Sequence, residues 1–203
     1  MRDVIKKHLD YVDGVVFDFG GVIVKAPEGD WGLYDLCKEY GLPREAVDEG
    51  NDKYRRLFDR GDFDCKELYR RIFADNGIDL TGSEEFFDNV YRIDSQGWMN
   101  YSEETLETMR ELKALGKKVG ILSNMSPIFY HEFFVPQAKE YRALCDSEVI
   151  SSHHHIAKPE KAIYDLSAKE MGIEPSRLLF LDDNVKNVDG AIASGWRAEV
   201  YRA

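Results

Sequence analysis

Asp18 follows the apolar run Val15-Val16-Phe17 and precedes the pair Gly20-Gly21. A carboxylate in that place emerges at the C-terminal end of a buried strand, and two glycines let the backbone turn closely around a ligand. Three further stretches repeat the arrangement. Ser123-Asn124 closes the run Val119-Gly120-Ile121-Leu122, Lys158 stands between Ala157 and Pro159 just ahead of a predicted helix, and Asp182-Asp183-Asn184 follows Leu179-Phe180-Leu181. Each stretch also has an ordinary structural reading. An Asp after a strand forms turns, Ser-Asn caps, a Lys before Pro is solvated, and Asp-Asp-Asn at a helix start complements the helix dipole. Together they weigh differently, because a parallel sheet gathers its strand ends along one edge. Three carboxylates brought to that edge need compensation, which a hard divalent cation and a lysine supply. A nucleophilic carboxylate ringed by metal, ammonium and neutral donors is the composition of a phosphate site.

The elements that must position these groups show in the hydrophobic pattern. Short runs at Gly14–Phe17, Lys118–Leu122, Glu148–Ile150, Leu178–Leu181 and Arg197–Tyr201 read as buried parallel strands. Helices are predicted from Glu103 to Leu115, capped by Ser102 and ended at Gly116, from Glu160 to Met171, and near Val185 to Ser194. Strands alternating with helices of this length imply βαβ units, hence an α/β fold.

The middle of the chain carries helix patterns without a strand. Leu33, Leu36, Cys37 and Tyr40 share one face. Pro43 suits a first helical position ahead of Val47, Tyr54, Leu57 and Phe58. Asp64 and Glu67 resemble a capping box for a helix through Leu68, Ile72 and Phe73, and Ser83 is placed to cap a short helix with Phe86, Phe87 and Val90. A helical block inserted after the first strand sits above the strands' C-terminal ends, where ligands bind in open α/β sheets.

Four motifs in this order resemble those of the haloacid dehalogenase-like hydrolases: Asp18-x-Gly20-x-Val22, Ser123-Asn124, Lys158-Pro159 running to Ile163-Tyr164, and Asp182-Asp183-Asn184-x-x-Asn187. The resemblance spans Gly14 to Tyr201 and is closest to the small sugar-phosphate phosphatases, similar to glucose-1-phosphate phosphatases, with the β-phosphoglucomutase-like branch nearby. It implies a Rossmann-like, three-layer parallel-sheet core over residues 1–24 and 100–203, with an α-helical cap over 25–99. It also implies that Asp18 is the nucleophile and forms an aspartyl-phosphate. Mg²⁺ would be held by Asp18, the Gly20 carbonyl and Asp183, with Asp182 beside or among the ligands. Ser123 and Lys158 would hold the phosphoryl oxygens, with backbone amides around Phe19, Gly20 and Asn124 as further donors. The substrate implied is a small phosphorylated metabolite, a sugar phosphate above others.

One position departs from the family pattern. The related phosphatases usually carry a second Asp two residues after the nucleophile, as general acid and base; here it is Gly20. General acid–base help is worth ~10²–10⁴-fold, less when the leaving group is good, as in a sugar 1-phosphate. Two alternatives follow from that glycine: a phosphomutase, whose aspartyl-phosphate must outlast substrate reorientation, and a catalytically weak phosphometabolite-binding protein.

The remaining features bound the function. The net charge is −11, and residues 25–105 hold 11 basic against 20 acidic side chains, which disfavours nucleic acid. No apolar run approaches the ~18 residues of a membrane span. The first ten residues lack a signal-peptide pattern, so a cytoplasmic location is the expectation, and a monomer is the default for this architecture. Cys37, Cys65 and Cys145 are widely spaced and form no metal or disulfide pattern. His153, His154 and His155 are read as solvent-facing, because neighbouring loop residues diverge. Trp31, Tyr34, Tyr54 and Phe58 are read as cap core, and the break at Arg55, Arg56, Arg60 and Asp62 is a candidate for substrate contact.

Overall fold

A computed structural model describes residues 2–27 and 32–203; Trp31 lies outside them. Five parallel strands, β1 (Gly14–Phe17), β2 (Lys118–Ser123), β3 (Ser147–Ile150), β4 (Leu178–Asp182) and β5 (Arg197–Val200), form one sheet in the order β3-β2-β1-β4-β5. Successive side chains on a strand alternate between faces. Val15, Phe17, Val119, Ile121, Leu179 and Leu181 therefore meet helix α6 (Glu103–Ala114) through Leu106, Met109 and Leu112. On the opposite face Val16, Leu122 and Phe180 meet α8 (Lys161–Met171) and α9 (Val185–Ala193) through Ile163, Tyr164, Met171 and Ala191. The result is a three-layer α/β, Rossmann-like fold. Ser102 caps α6 as expected, accepting from the Thr105 amide at 3.2 Å.

Helices α2 (Leu33–Glu39), α3 (Arg44–Asp59), α4 (Cys65–Asp75) and α5 (Glu84–Gly97) lie between β1 and β2 in the chain and build a separate apolar core from Leu33, Cys37, Val47, Leu68, Ile72 and Phe86, among others. Tyr34, Tyr54 and Phe58 pack against it from partly buried positions. The two connections to this block run side by side: the Lys25 amide donates to the Asn100 carbonyl at 2.8 Å, and Val24 bridges to Tyr101.

Several local expectations shift. Pro43 stands just ahead of α3 rather than in its first turn. Asp64 does cap α4, accepting from the Glu67 amide at 2.9 Å, but the Glu67 carboxylate takes Arg71 at 2.8 Å. Ser83 makes no side-chain cap, and α5 runs on to Gly97. The β2–β3 crossover is a broken helical path, Pro127–Phe129, a π-helical Tyr130–Phe134, and Val135–Gln137, leading into α7 (Lys139–Leu144). An N-terminal turn, α1 (Asp3–Lys6), precedes β1. Among the described residues no helix is long and apolar enough to cross a membrane.

Candidate active site

Strand register sets the site. Phe17 pairs with Ile121 on one side and Leu181 on the other, so the next residues out, Asp18 and Asp182, stand level at the sheet's C-terminal edge. Between them lies Lys158, delivered by the loop after β3. Its Nζ is 2.8 Å from Asp18 Oδ1 and 2.7 Å from Asp182 Oδ2. All three are buried: Asp182 is 0 % exposed, Lys158 4 % and Asp18 7 %. The Phe19 amide also donates to Asp18 Oδ1, at 2.6 Å.

Asp182 is fully engaged by protein donors. Asn187 Nδ2 reaches both its oxygens at 3.1 and 3.0 Å, and the Asn184 amide donates to Oδ1 at 2.8 Å. This carboxylate thus anchors Lys158 and ties β4 to the first turn of α9. Asn187, which closes the fourth motif, received no role from the sequence, although its place three after Asn184 puts it on that turn. Asp183 is only partly buried and packs against Gly21. Gly21 is required twice there: its φ is +72°, and a Cβ would lie 2.5 Å from the Asp183 carboxyl.

The electrostatics follow from burial. Burial pushes the Asp18 carboxyl up to about 7, against the pull of Lys158 and with a push from the Asp182 charge. Burial works against the Lys158 ammonium too, but Asp18 and Asp182 together lift it above its ordinary value. Burial, then the neighbouring Asp182 charge, also raises Asp183. One ammonium facing three carboxylates leaves an excess of buried negative charge. Asp18, Asp182 and Asp183 each offer an oxygen, all within 4.8 Å of one another. An all-oxygen donor set of that charge suits a hard dication.

Ser123 ends β2 at the same edge and is buried. The Asn124 side chain has a different task. Its Oδ1 accepts from the Lys158 amide at 2.9 Å, while Nδ2 donates to the Lys158 carbonyl at 3.1 Å and to Asp59 Oδ2 at 3.2 Å. Asn124 therefore clasps the backbone that carries the lysine, which leaves only its main-chain amide for the expected role as donor.

The helical block closes over this edge at several points. Asp59 reaches Asn124. Gly61, at φ +72°, lies so close to Ser152 that a Cβ would be 2.8 Å from the Ser152 Cα. Asp62 meets His155 at 3.3 Å, and Arg56 stands 3.8 Å from Glu160. The three consecutive histidines are exposed, as expected. Trp98, just past α5, covers Gly20: a Cβ there would lie 3.2 Å from the indole Cζ3. Gly20 does not have a left-handed φ, so the ring, not the backbone, crowds a side chain there, and the indole would have to give by a few tenths of an ångström. Neither Asp59 nor Trp98 carries a signal in the linear sequence, because each depends on how the block is seated.

The family model for haloacid dehalogenase-like hydrolases matches residues 12–195. The chain belongs to the haloacid dehalogenase-like hydrolases. It is 27 % identical to a D-ribitol-5-phosphate phosphatase of Bacteroides thetaiotaomicron over 184 residues, covering 87 % of this chain and 85 % of the relative. It is 25 % identical to a phosphatase of Mycobacterium tuberculosis, covering 92 % of this chain and 86 % of that one. Among solved structures, a haloacid dehalogenase-family enzyme of Bacteroides thetaiotaomicron in complex with magnesium and inorganic phosphate superposes with a TM-score of 0.71 at 19 % identity, over 95 % of each chain. In this haloacid dehalogenase-like hydrolase the strand-edge groups combine an enclosed carboxylate, a fixed ammonium and a dication-sized oxygen cluster. A set of this charge and geometry suits an anionic, oxygen-rich ligand.

Proposed function

We propose that this hydrolase is a Mg²⁺-dependent phosphatase of a small phosphorylated metabolite, a sugar or polyol phosphate, acting through an aspartyl-phosphate on Asp18. The observation that carries the reading is the Asp18–Lys158–Asp182 array at 2.8 and 2.7 Å, sealed at the edge of the sheet. A carboxylate oxygen of Asp18 attacks phosphorus, the bond from phosphorus to the ester oxygen breaks, and the alkoxide leaves with a proton from the medium. Water then attacks phosphorus, breaking its bond to Asp18 and releasing inorganic phosphate. Lys158 and the Ser123 hydroxyl hold the phosphoryl oxygens, assisted by amides around Phe19, Gly20 and Asn124. Asp18, the Gly20 carbonyl and Asp183 would hold Mg²⁺, with Asp182 behind them on Lys158; the ion supplies the positive charge that lets two anions approach. Residues 25–99 act as a cap that excludes bulk water. Relatives named as phosphatases, one of them for a polyol phosphate, support the reading.

A panel of phosphate esters assayed with Mg²⁺, and again with EDTA or with Asp18→Asn, tests it. Metal-dependent turnover lost in Asp18→Asn is the expected result, and turnover that survives the replacement overturns the covalent route. The Trp98 ring over Gly20 favours a second reading, a binding protein without turnover. Calorimetric, Mg²⁺-dependent binding of a sugar phosphate with no phosphate release would establish that instead.

A further inference from the structure

The C-terminal end of α3 and the turn after it meet the core along the stretch of chain that carries Lys158. Arg56 Nε stands 3.8 Å from Glu160 Oε1, Gly61 lies against Ser152, and Asp62 Oδ1 is 3.3 Å from His155 Nδ1. These partners flank Lys158 on both sides in the sequence. Arg56 and His155 are exposed, so their ion pairs contribute little. The buried member of the group is Asp59, 9 % exposed, and it reaches the same stretch by way of Asn124.

The Asn124 amide lies across the backbone of Lys158. Its Oδ1 takes the Lys158 N–H at 2.9 Å, and its Nδ2 donates to the Lys158 carbonyl at 3.1 Å and to Asp59 Oδ2 at 3.2 Å. An amide nitrogen has two N–H groups, and both are engaged here. A carboxylate held by a guanidinium only accepts, and Arg55 Nε is 2.8 Å from the other Asp59 oxygen. Asp59 therefore selects the orientation of the amide in which the oxygen faces the Lys158 N–H. Turning Asn124 over would set its oxygen against both acceptors at once. What this holds in place is the backbone of the residue whose Nζ lies 2.8 Å from Asp18 and 2.7 Å from Asp182.

We propose that Asp59 is a positioning residue for Lys158: seating the helical block fixes the Asn124 amide, and through it the backbone that presents the ammonium to the phosphoryl group. The phosphate site is then complete only with the block seated. The proposal rests on the phosphatase reading above. Asp59→Ala removes the acceptor at the last residue of α3, and Asp59→Asn restores one toward Asn124 while the exposed Arg55 turns to solvent. Every ester shares the phosphoryl group. Asp59→Ala is therefore expected to lower kcat/KM for D-ribitol 5-phosphate and p-nitrophenyl phosphate alike, by about tenfold, and to weaken calorimetric binding of inorganic phosphate with Mg²⁺ by a similar factor. Asp59→Asn is expected to recover most of both losses. Asn124→Ala is expected to lose at least as much, and in that background Asp59→Ala changes neither quantity by more than about twofold. Wild-type values in Asp59→Ala, losses that multiply in the double variant, or a loss confined to the polyol ester overturn the positioning role. A wild-type protein that hydrolyses neither ester and binds no inorganic phosphate with Mg²⁺ overturns the phosphatase reading, and the positioning role with it.

Discussion

Replacing Lys158 with methionine keeps the buried stem and removes the ammonium that lies 2.8 Å from Asp18 and 2.7 Å from Asp182. Asp182 retains Asn187 and the Asn184 amide, whereas Asp18 keeps only the Phe19 amide. Breaking a buried pair on one side costs about 3–5 kcal/mol, because the surviving charge is left uncompensated. For a domain of this size each kcal/mol moves Tm by ~2–4 °C, so a fall of roughly 6–20 °C is expected. The loss has a pH signature. The folded protein holds the Asp18 proton up to about 7 against an ordinary value of 3.8, so between those values the folded state binds more protons than the unfolded one. Stability contributed by that proton is complete in acid and is lost as pH rises through the window. Without Lys158 the downward pull on Asp18 is gone and the window extends upward. Thermal melts in EDTA at pH 5.5, 7 and 8.5 measure this: the wild-type decline levels off above about 7, and the Lys158→Met decline continues. A variant as stable as wild type at pH 8.5, or with a constant deficit at all three, would refute the reasoning.

Other consequences are equally direct. Divalent metal competes with the Asp18 proton, so the rise in Tm caused by Mg²⁺ should be larger at pH 8 than at pH 6, as differential scanning fluorimetry will show. Gly61→Ala should destabilise by about 1–3 kcal/mol, because it adds both a strained φ and a collision with Ser152. Gly116→Ala, with a similar φ of +75° and nothing nearby, should cost less, and the difference in Tm reports the seating of the helical block on Ser152. Gly20→Asp should lower Tm and leave kcat no higher, since the Trp98 ring crowds the added side chain. In a Trp98→Ala background the same change should raise kcat for an alkyl phosphate about tenfold or more and leave p-nitrophenyl phosphate nearly unaltered.

Strands β1 and β4 were legible because both their faces are buried, so Val15-Val16-Phe17 and Leu178 to Leu181 appear as unbroken apolar runs, each followed by a carboxylate; β5, at the sheet edge, is partly exposed. Parallel pairing then brings Asp18 and Asp182 together without further information. The α5 helix was underestimated because Arg92, Asp94, Ser95 and Gln96 interrupt the apolar stripe that ends at Tyr91. The π-helical Tyr130–Phe134 has no 3.6-residue pattern to detect. Asn187 was within reach, since its spacing from Asp182 places it over the carboxylate once α9 starts at Val185. Asp59 and Trp98 were not, for their contacts with Asn124 and Gly20 join parts of the chain whose relative placement is decided by tertiary packing alone.

A phosphatase of this kind requires Asp18 to accept the phosphoryl group. A millisecond acid quench during turnover, followed by borohydride reduction and peptide mass spectrometry, reads it directly, because reduction converts an aspartyl-phosphate to homoserine. Homoserine is expected at position 18 only when both substrate and Mg²⁺ are present. Sustained phosphate release with Asp18 unmodified at every quench time, or with the modification on another carboxylate, would contradict it.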